Sequence, residues 1–299
     1  MNNNVFIIGD LHLKCNSPIS RRDNYPIAIL NKLEYLAGIA KNCKCNTFIL
    51  LGDVFDSPIT TLPYLAKVIE TFKKINEQKI TVYTIVGNHD IRNNRIDSLP
   101  TTALGILIST GYIKLAPSNL IIDNTVFQCF NYTDEIKPAL EDEKYTVCIA
   151  HRYYEFNIDD YSLHESDIIK LNYNAMILGH LHTPCDTIDV GNTILYRPGS
   201  LARNTSETYN KLRVPRALLF NCKKHKAVYV EVVCNSAENI FVDKIEGNNQ
   251  KIISMHDLIN FITTSYNSAD MDVREYFANL NIPCECRNII SKYLDTAGA

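Results

Sequence analysis

Several large protein classes are excluded by what this chain does not contain. No uninterrupted apolar stretch approaches the roughly 18 residues that a membrane-spanning helix requires. The first apolar run, Val5 to Ile8, stops at Gly9-Asp10 after one strand's length, and the Met1-Asn2-Asn3-Asn4 before it carries no positive charge. Neither a signal peptide nor a span is expected, and the chain reads as soluble. It has no excess of charge: 30 Lys and Arg against 33 Asp and Glu leave a net −3, which argues against a histone-like basic binder and an acidic solvating tail. Gly-x-x-x-x-Gly-Lys and Gly-x-Gly-x-x-Gly are both missing, so nucleotide binding by those loops is excluded. There is no internal repeat, low-complexity tract or long linker. Disorder is excluded because 46% of the residues are hydrophobic.

What is present, in 299 residues, is material for about two domains. Ten cysteines without a secretory signal read as reduced thiols in a cytoplasm-like compartment. Cys43-x-Cys45 and Cys284-x-Cys286 lack the spacing of a Cys-x-x-Cys zinc knuckle and read as small apolar side chains and free thiols.

Short apolar runs alternate with helical patterns: Val5–Ile8, Thr47–Leu51, Ile80–Val86, Tyr145–Ala150, Ala175–Leu178 and Thr193–Tyr196 predict strands. Pro26 to about Lys41 and Leu62 to about Asn76 repeat their apolar residues at helical spacing. The alternation predicts an α/β fold with a layered core, its strands buried between helices. After Pro215, Ala217–Asn221 and Ala227–Val233 predict a closing hairpin. We place a first domain at 1–235 and a small helical C-terminal region at 236–299, built from short amphipathic segments near Ser254–Ile262, Met271–Leu280 and Glu285–Leu294. That region is too small to hold a large core alone.

The predicted strands end alike, in an apolar run, often a glycine, and then Asp, Asn or His: Gly9-Asp10-Leu11-His12, Gly52-Asp53-Val54-Phe55-Asp56, Gly87-Asn88-His89-Asp90, Ala150-His151 and Gly179-His180-Leu181-His182. Singly, each has an ordinary explanation as a polar turn, a helix N-cap or a satisfied histidine. Together they are hard to explain structurally, since loops at the carboxyl ends of neighbouring strands converge on one crevice. Five of the eight histidines lie in these motifs. Carboxylate and amide oxygens mixed with imidazoles suit Mn²⁺, Fe²⁺ or Zn²⁺. Seven ligand-type residues exceed what one ion needs and indicate two metals sharing a carboxylate, about 3.5–4 Å apart.

These ordered motifs resemble the signature of the calcineurin-like metallophosphoesterases, over roughly residues 5–220. Within that superfamily the chain is most similar to SbcD-type DNA-repair exonuclease subunits of the compact phage and viral type. That finer likeness rests on Ser57-Pro58 after Asp56, on Ser20-Arg21-Arg22-Asp23-Asn24-Tyr25, on Thr102-Ala103-Leu104-Gly105 and on Tyr196-Arg197-Pro198-Gly199-Ser200-Leu201. The resemblance implies a layered β-sandwich core flanked by helices. It also implies one metal on Asp10, His12, Asp53 and His182, and a second on Asp53, Asn88, His151 and His180, most often Mn²⁺, with Fe²⁺, Zn²⁺ or Mg²⁺ as alternatives. His89 would be the catalytic histidine, with Asp90 orienting its ring, and Asp56 would act from within its loop. The implied activity is DNA cleavage, with an SbcC-type SMC-like ATPase as partner, a homodimeric assembly, and a cytoplasmic location, or a host's cytoplasm for a viral chain. The C-terminal region would be a cap remnant or a docking segment for the partner.

Eight basic residues and one acid lie between Arg197 and Lys226, a stretch that starts just after Gly179-His180-Leu181-His182. Part of it is expected to flank the metals and track a phosphate backbone, or else to form a solvated hairpin face. Arg21, Arg22, Arg92, Arg197 and Arg203 are the candidate substrate-binding residues, and Arg95 follows the same motif as Arg92. Two other functions compete: a phosphatase or cyclic-nucleotide phosphodiesterase, and a metal-free scaffold of the same fold.

Overall fold

The computed structural model describes residues 4–140, 144–154 and 161–242. The C-terminal segments predicted beyond 242, with Cys284 and Cys286, lie outside the described residues. In chain order the elements are β1 (Asn4–Ile8), α1 (Tyr25–Ala40), β2 (Cys45–Leu50), α2 (Leu62–Glu77), β3 (Thr81–Thr84), a 3-10 turn over Asn88–Asp90 and another over Ile96–Thr101. Then come α3 (Ala103–Ser109), β4 (Lys114–Leu115), β5 (Asn119–Ile122), β6 (Thr125–Phe130), β7 (Tyr145–His151), α4 (Glu165–Leu171) and β8 (Ala175–Gly179). The remainder are β9 (Cys185–Val190), β10 (Thr193–Arg197), α5 (Thr208–Leu212), β11 (Arg216–Asn221), β12 (Lys226–Glu231) and α6 (Ala237–Ile240). Among the described residues no helix is long and apolar enough to cross a membrane.

The strands form two six-stranded mixed sheets, ordered β12-β11-β1-β2-β3-β4 and β5-β6-β7-β8-β10-β9. Alternation along the strands separates three apolar layers. Val5, Ile7, Ile49, Val147, Ile149 and Ile177 fill the space between the sheets. Phe6, Ile8, Phe48 and Leu50 face the other way, onto α1, α2 and α3. Cys148, Ala150, Met176 and Leu178 pack on the far face with Ile168 and Leu171 of α4. The chain is therefore an α/β protein with a layered β-sandwich core flanked by helices, as the sequence predicts. Helix α1 begins where Asn24 accepts from the Ile27 N–H and Pro26 occupies the first turn. Its buried stripe includes Ile29, Leu33, Leu36 and Ala40, each worth about 1–3 kcal/mol of burial except the smaller alanine.

The sequence reading missed β4, β5, β6 and β9. Every residue of β6 is buried, Thr125 and Gln128 included, so the strand lacks the alternation that marks one half-exposed to solvent.

Parallel β1, β2 and β3 bring their carboxyl ends to one edge of the first sheet, and parallel β7 and β8 do so in the second. Cross-sheet hydrogen bonds bring the two edges together, among them Tyr132 N–H to Val86 O at 2.8 Å. The predicted hairpin is β11–β12, but its antiparallel register on β1 pairs Asn4 with Asn221 and Ile7 with Leu218. Lys223, Lys224 and Lys226 therefore lie past the start of β1, about 15 Å of strand from the motif-bearing edge. These three exposed lysines fit the other expectation for the basic stretch, a solvated hairpin face.

Candidate metal centre

At that shared edge the backbone takes sparsely populated conformations. His12 (φ 46°), Asp53 (φ 46°) and His180 (φ 82°) all lie in the left-handed region, where a side chain is strained. Gly87 has no room for a side chain, because a Cβ there would sit 2.1 Å from Asp53 Oδ1.

The structure brings together all seven predicted ligands. Asp10, His12 and His182 each offer one ligand atom within 4.8 Å of the others, and Asp53, His151 and His180 form a second such group. Asp53 lies between the groups: its Oδ2 is 3.7 Å from His12 Nε2 and 3.3 Å from His151 Nε2. Asn88 Oδ1 is 3.2 Å from His151 Nε2. His12 and His182 face each other through Nε2 atoms 2.8 Å apart. The His180 N–H donates to Asp10 Oδ1 at 3.2 Å, fixing the second sheet's loop against a first-sheet carboxylate.

The donor set fits cations. Asp10 Oδ2 is buried and accepts no hydrogen bond. His151 donates its Nδ1–H to Leu51 O at 2.7 Å, so its Nε2 lone pair faces two oxygens, those of Asn88 and Asp53. That arrangement is repulsive unless a proton or a metal ion lies between. Without metal the proton takes the place: burial pulls His151 down, but the Asp53 charge and hydrogen bond outweigh it and raise the imidazole to about 9. His182 moves the other way, to about 4, through burial and the neighbouring His12. For Asp53 burial opposes ionisation, and His151 with His89 and His12 overcomes it, holding the carboxyl well below its usual range.

His89 sits at the rim of this cluster, its ring 5.0 Å from that of His12 and edge-on to it. Its Nδ1–H donates to Asp56 O at 2.9 Å, leaving Nε2 available. Asp90 corrects one expectation. It does not orient the His89 ring; its carboxylate instead accepts backbone N–H groups from Phe55 at 3.0 Å, Val54 at 3.3 Å and Gly87 at 3.0 Å. Burial and the Asp53 charge push it up to about 7 against those three hydrogen bonds. Asp56 binds Lys14 Nζ at 2.8 Å and lies 3.5 Å from His12 Nδ1.

The arginines also divide. Arg21 is buried, with Nε and Nη2 on the Asp23 carboxylate at 2.8 and 2.6 Å and Nη1 on Arg203 O at 2.6 Å. Arg203 is buried too and donates to Asn235 O at 2.6 Å. Both side chains are buried and bonded to carbonyls inside the fold, which turns them away from a substrate. Arg22 is exposed and donates from Nε to Phe241 O. Arg92 is exposed, and Arg197 is half-buried with an Nε that has no partner. Sequence reasoning overlooked the aromatic wall beside the second group: Tyr153 lies tilted against His180 at 3.8 Å between ring centroids, and Tyr132 lies edge-on at 5.5 Å. Tyr153 follows His151 by two positions, the one signal the sequence carried; Tyr132 had none.

Residues 4–184 match the model of the calcineurin-like phosphoesterase family. Exonuclease subunit 1 of Enterobacteria phage T4 is 26% identical over 203 residues, covering 62% of this chain and 57% of that protein. The DNA double-strand break repair protein Mre11 of Methanocaldococcus jannaschii is 26% identical over 148 residues, 44% of this chain and 38% of that one. The chain thus spans about half or less of the curated relatives it matches. A solved structure from Thermus thermophilus, 10% identical, covers 77% of this chain and 99% of its own with a TM-score of 0.49.

Proposed function

The chain belongs to the calcineurin-like phosphoesterase family, and from that premise we propose that it is a two-metal-dependent DNA nuclease subunit. Its work would be phosphodiester hydrolysis in DNA repair, recombination or phage DNA processing, beside an SbcC-type SMC-like ATPase and as a homodimer. The observation that carries the two-metal reading is Asp53 Oδ2, set between His12 Nε2 and His151 Nε2. Support for DNA as substrate comes from the two relatives, one named as an exonuclease subunit and one as a double-strand break repair protein.

In this reading Asp10, His12, Asp53 and His182 hold one divalent cation, and Asp53, Asn88, His151 and His180 the other, most often Mn²⁺. When bound, the pair supplies Lewis-acid charge that activates water and offsets the negative charge growing on the phosphoryl oxygens. His89, fixed through Nδ1, presents Nε2 as the atom that would hand a proton to the leaving oxygen. Asp90 keeps the Gly52–Phe55 and Gly87 turns in register through the backbone amides it binds.

Mn²⁺-dependent cleavage of linear DNA, with and without the ATPase, tests the proposal. Replacing His89 by Ala is expected to lower the rate by about 10²–10⁴-fold while Mn²⁺ binding, followed by calorimetry, persists. DNA left intact beside rapid hydrolysis of small phosphoesters would favour the second reading, a phosphatase or cyclic-nucleotide phosphodiesterase. One observation speaks for that alternative: Arg21 and Arg203 are buried and bonded, which thins the basic surface expected beside the site.

A further inference from the structure

The loop that follows β10 lies behind the first metal group and is bonded on both sides. On one side it holds the backbones of two predicted ligands. Ser200 Oγ–H and Leu201 N–H both donate to Asp10 O, at 2.9 and 3.0 Å, and Ser200 N–H donates to His182 O at 3.0 Å. On the other side four consecutive carbonyls each accept from a cationic side chain. Arg213 Nη1 binds Ser200 O at 2.7 Å, Lys32 Nζ binds Leu201 O at 2.6 Å, Arg213 Nη2 binds Ala202 O, and Arg21 Nη1 binds Arg203 O at 2.6 Å.

This arrangement is costly. Lys32 is 6% exposed on the inner face of α1, and the contacts that hold it and Arg213 go to carbonyls and an amide oxygen, not carboxylates. Burial, and then the neighbouring Arg203, Arg21 and Arg213, lower the Lys32 ammonium to about 7. Burying cations without counter-ions disfavours folding, and water or neutral amides would satisfy loop carbonyls more cheaply. What the cations provide instead is charge-assisted, directional bonding of a loop that has no strand neighbours of its own.

We propose that Lys32 and Arg213 are positioning residues for the metal ion at Asp10, His12 and His182, acting through the Ser200–Arg203 loop and not on the ion at Asp53, His151 and His180. The inference rests on the two-metal reading above. Groups that hold a metal's ligands in place, without touching the metal, typically account for about 10–100-fold in affinity.

Calorimetric Mn²⁺ binding separates the two sites. His180→Ala disables the second group and leaves the first to be measured, and His182→Ala does the reverse. In the His180→Ala background, Lys32→Met is expected to weaken Mn²⁺ binding by about tenfold or more, with Lys32→Arg recovering most of the loss. In the His182→Ala background the same change is expected to stay within about twofold. Equal losses in both backgrounds would mean a general destabilisation and would overturn the inference, as would no loss in either. If Lys32→Met does not fold, Arg213→Lys takes its place in the same comparison, because it keeps the charge and gives up the forked contact to Ser200 and Ala202. A wild-type protein that binds no Mn²⁺ would overturn the two-metal reading and this inference with it. Two intact sites with an unaffected Lys32 variant would overturn this inference alone.

Discussion

A single methylene chain and its charge set one pH response of this protein. Lys32 titrates near 7 in the fold and near its ordinary 10.5 when the chain is unfolded. Between those values the unfolded state binds a proton that the native state does not, so this residue's contribution to stability rises with pH across that window. Below pH 7 both states are protonated and the penalty of burying the charge is fully present. The difference in denaturation midpoint between wild type and Lys32→Met should therefore move in favour of wild type from pH 7 to pH 10, and a flat difference would refute the assignment. The residue was legible in part, because Lys32 stands on the apolar stripe of Ile29, Leu33 and Leu36. A lysine at such a position has to find a partner inside, but the stripe does not say that the partner is the Leu201 carbonyl.

Turns, more than strands, decide the geometry of the site. The Asn88–Asp90 turn presents His89 and at the same time bolts the neighbouring Gly52–Phe55 turn through the Asp90 carboxylate. Asp90→Ala would leave three N–H groups without their acceptor, two of them on Val54 and Phe55, which are fully buried. Thermal or denaturant unfolding should show a loss of at least about 3 kcal/mol, and Asp90→Asn, which keeps an acceptor oxygen, should lose less. The motif Gly87-Asn88-His89-Asp90 was visible in the sequence, yet Asp90's task was not. The family resemblance implied His89 as its partner, whereas the turn points the carboxylate towards the backbone of another loop. For the same reason β6 escaped notice: its polar Thr125 and Gln128 are buried among apolar neighbours, with Thr125 Oγ1–H bonded to Cys222 O, far along the chain.

Over the whole molecule, the sheet register sorts the basic residues into two populations that composition merges. Arg203 and Arg213 are spent behind the metal group, while Lys223, Lys224 and Lys226 stand at the opposite end of β1. Replacing all three lysines with Ala is expected to change KM for DNA by no more than about twofold at moderate salt, because screening weakens charges beyond about 10 Å. A tenfold rise would mean that the substrate path runs over the hairpin. The order of residues was enough to specify the chemistry of the centre: which side chains are ligand types, that they stand at strand ends, and that there are enough of them for two ions. Those are local properties, written in strand period and glycine placement. It took the folded chain to settle which groups face one another, that Asp53 lies between two imidazoles, and that four cationic contacts close over one loop. Such contacts join residues far apart along the chain, and only the packing of one sheet on the other fixes their distance and direction.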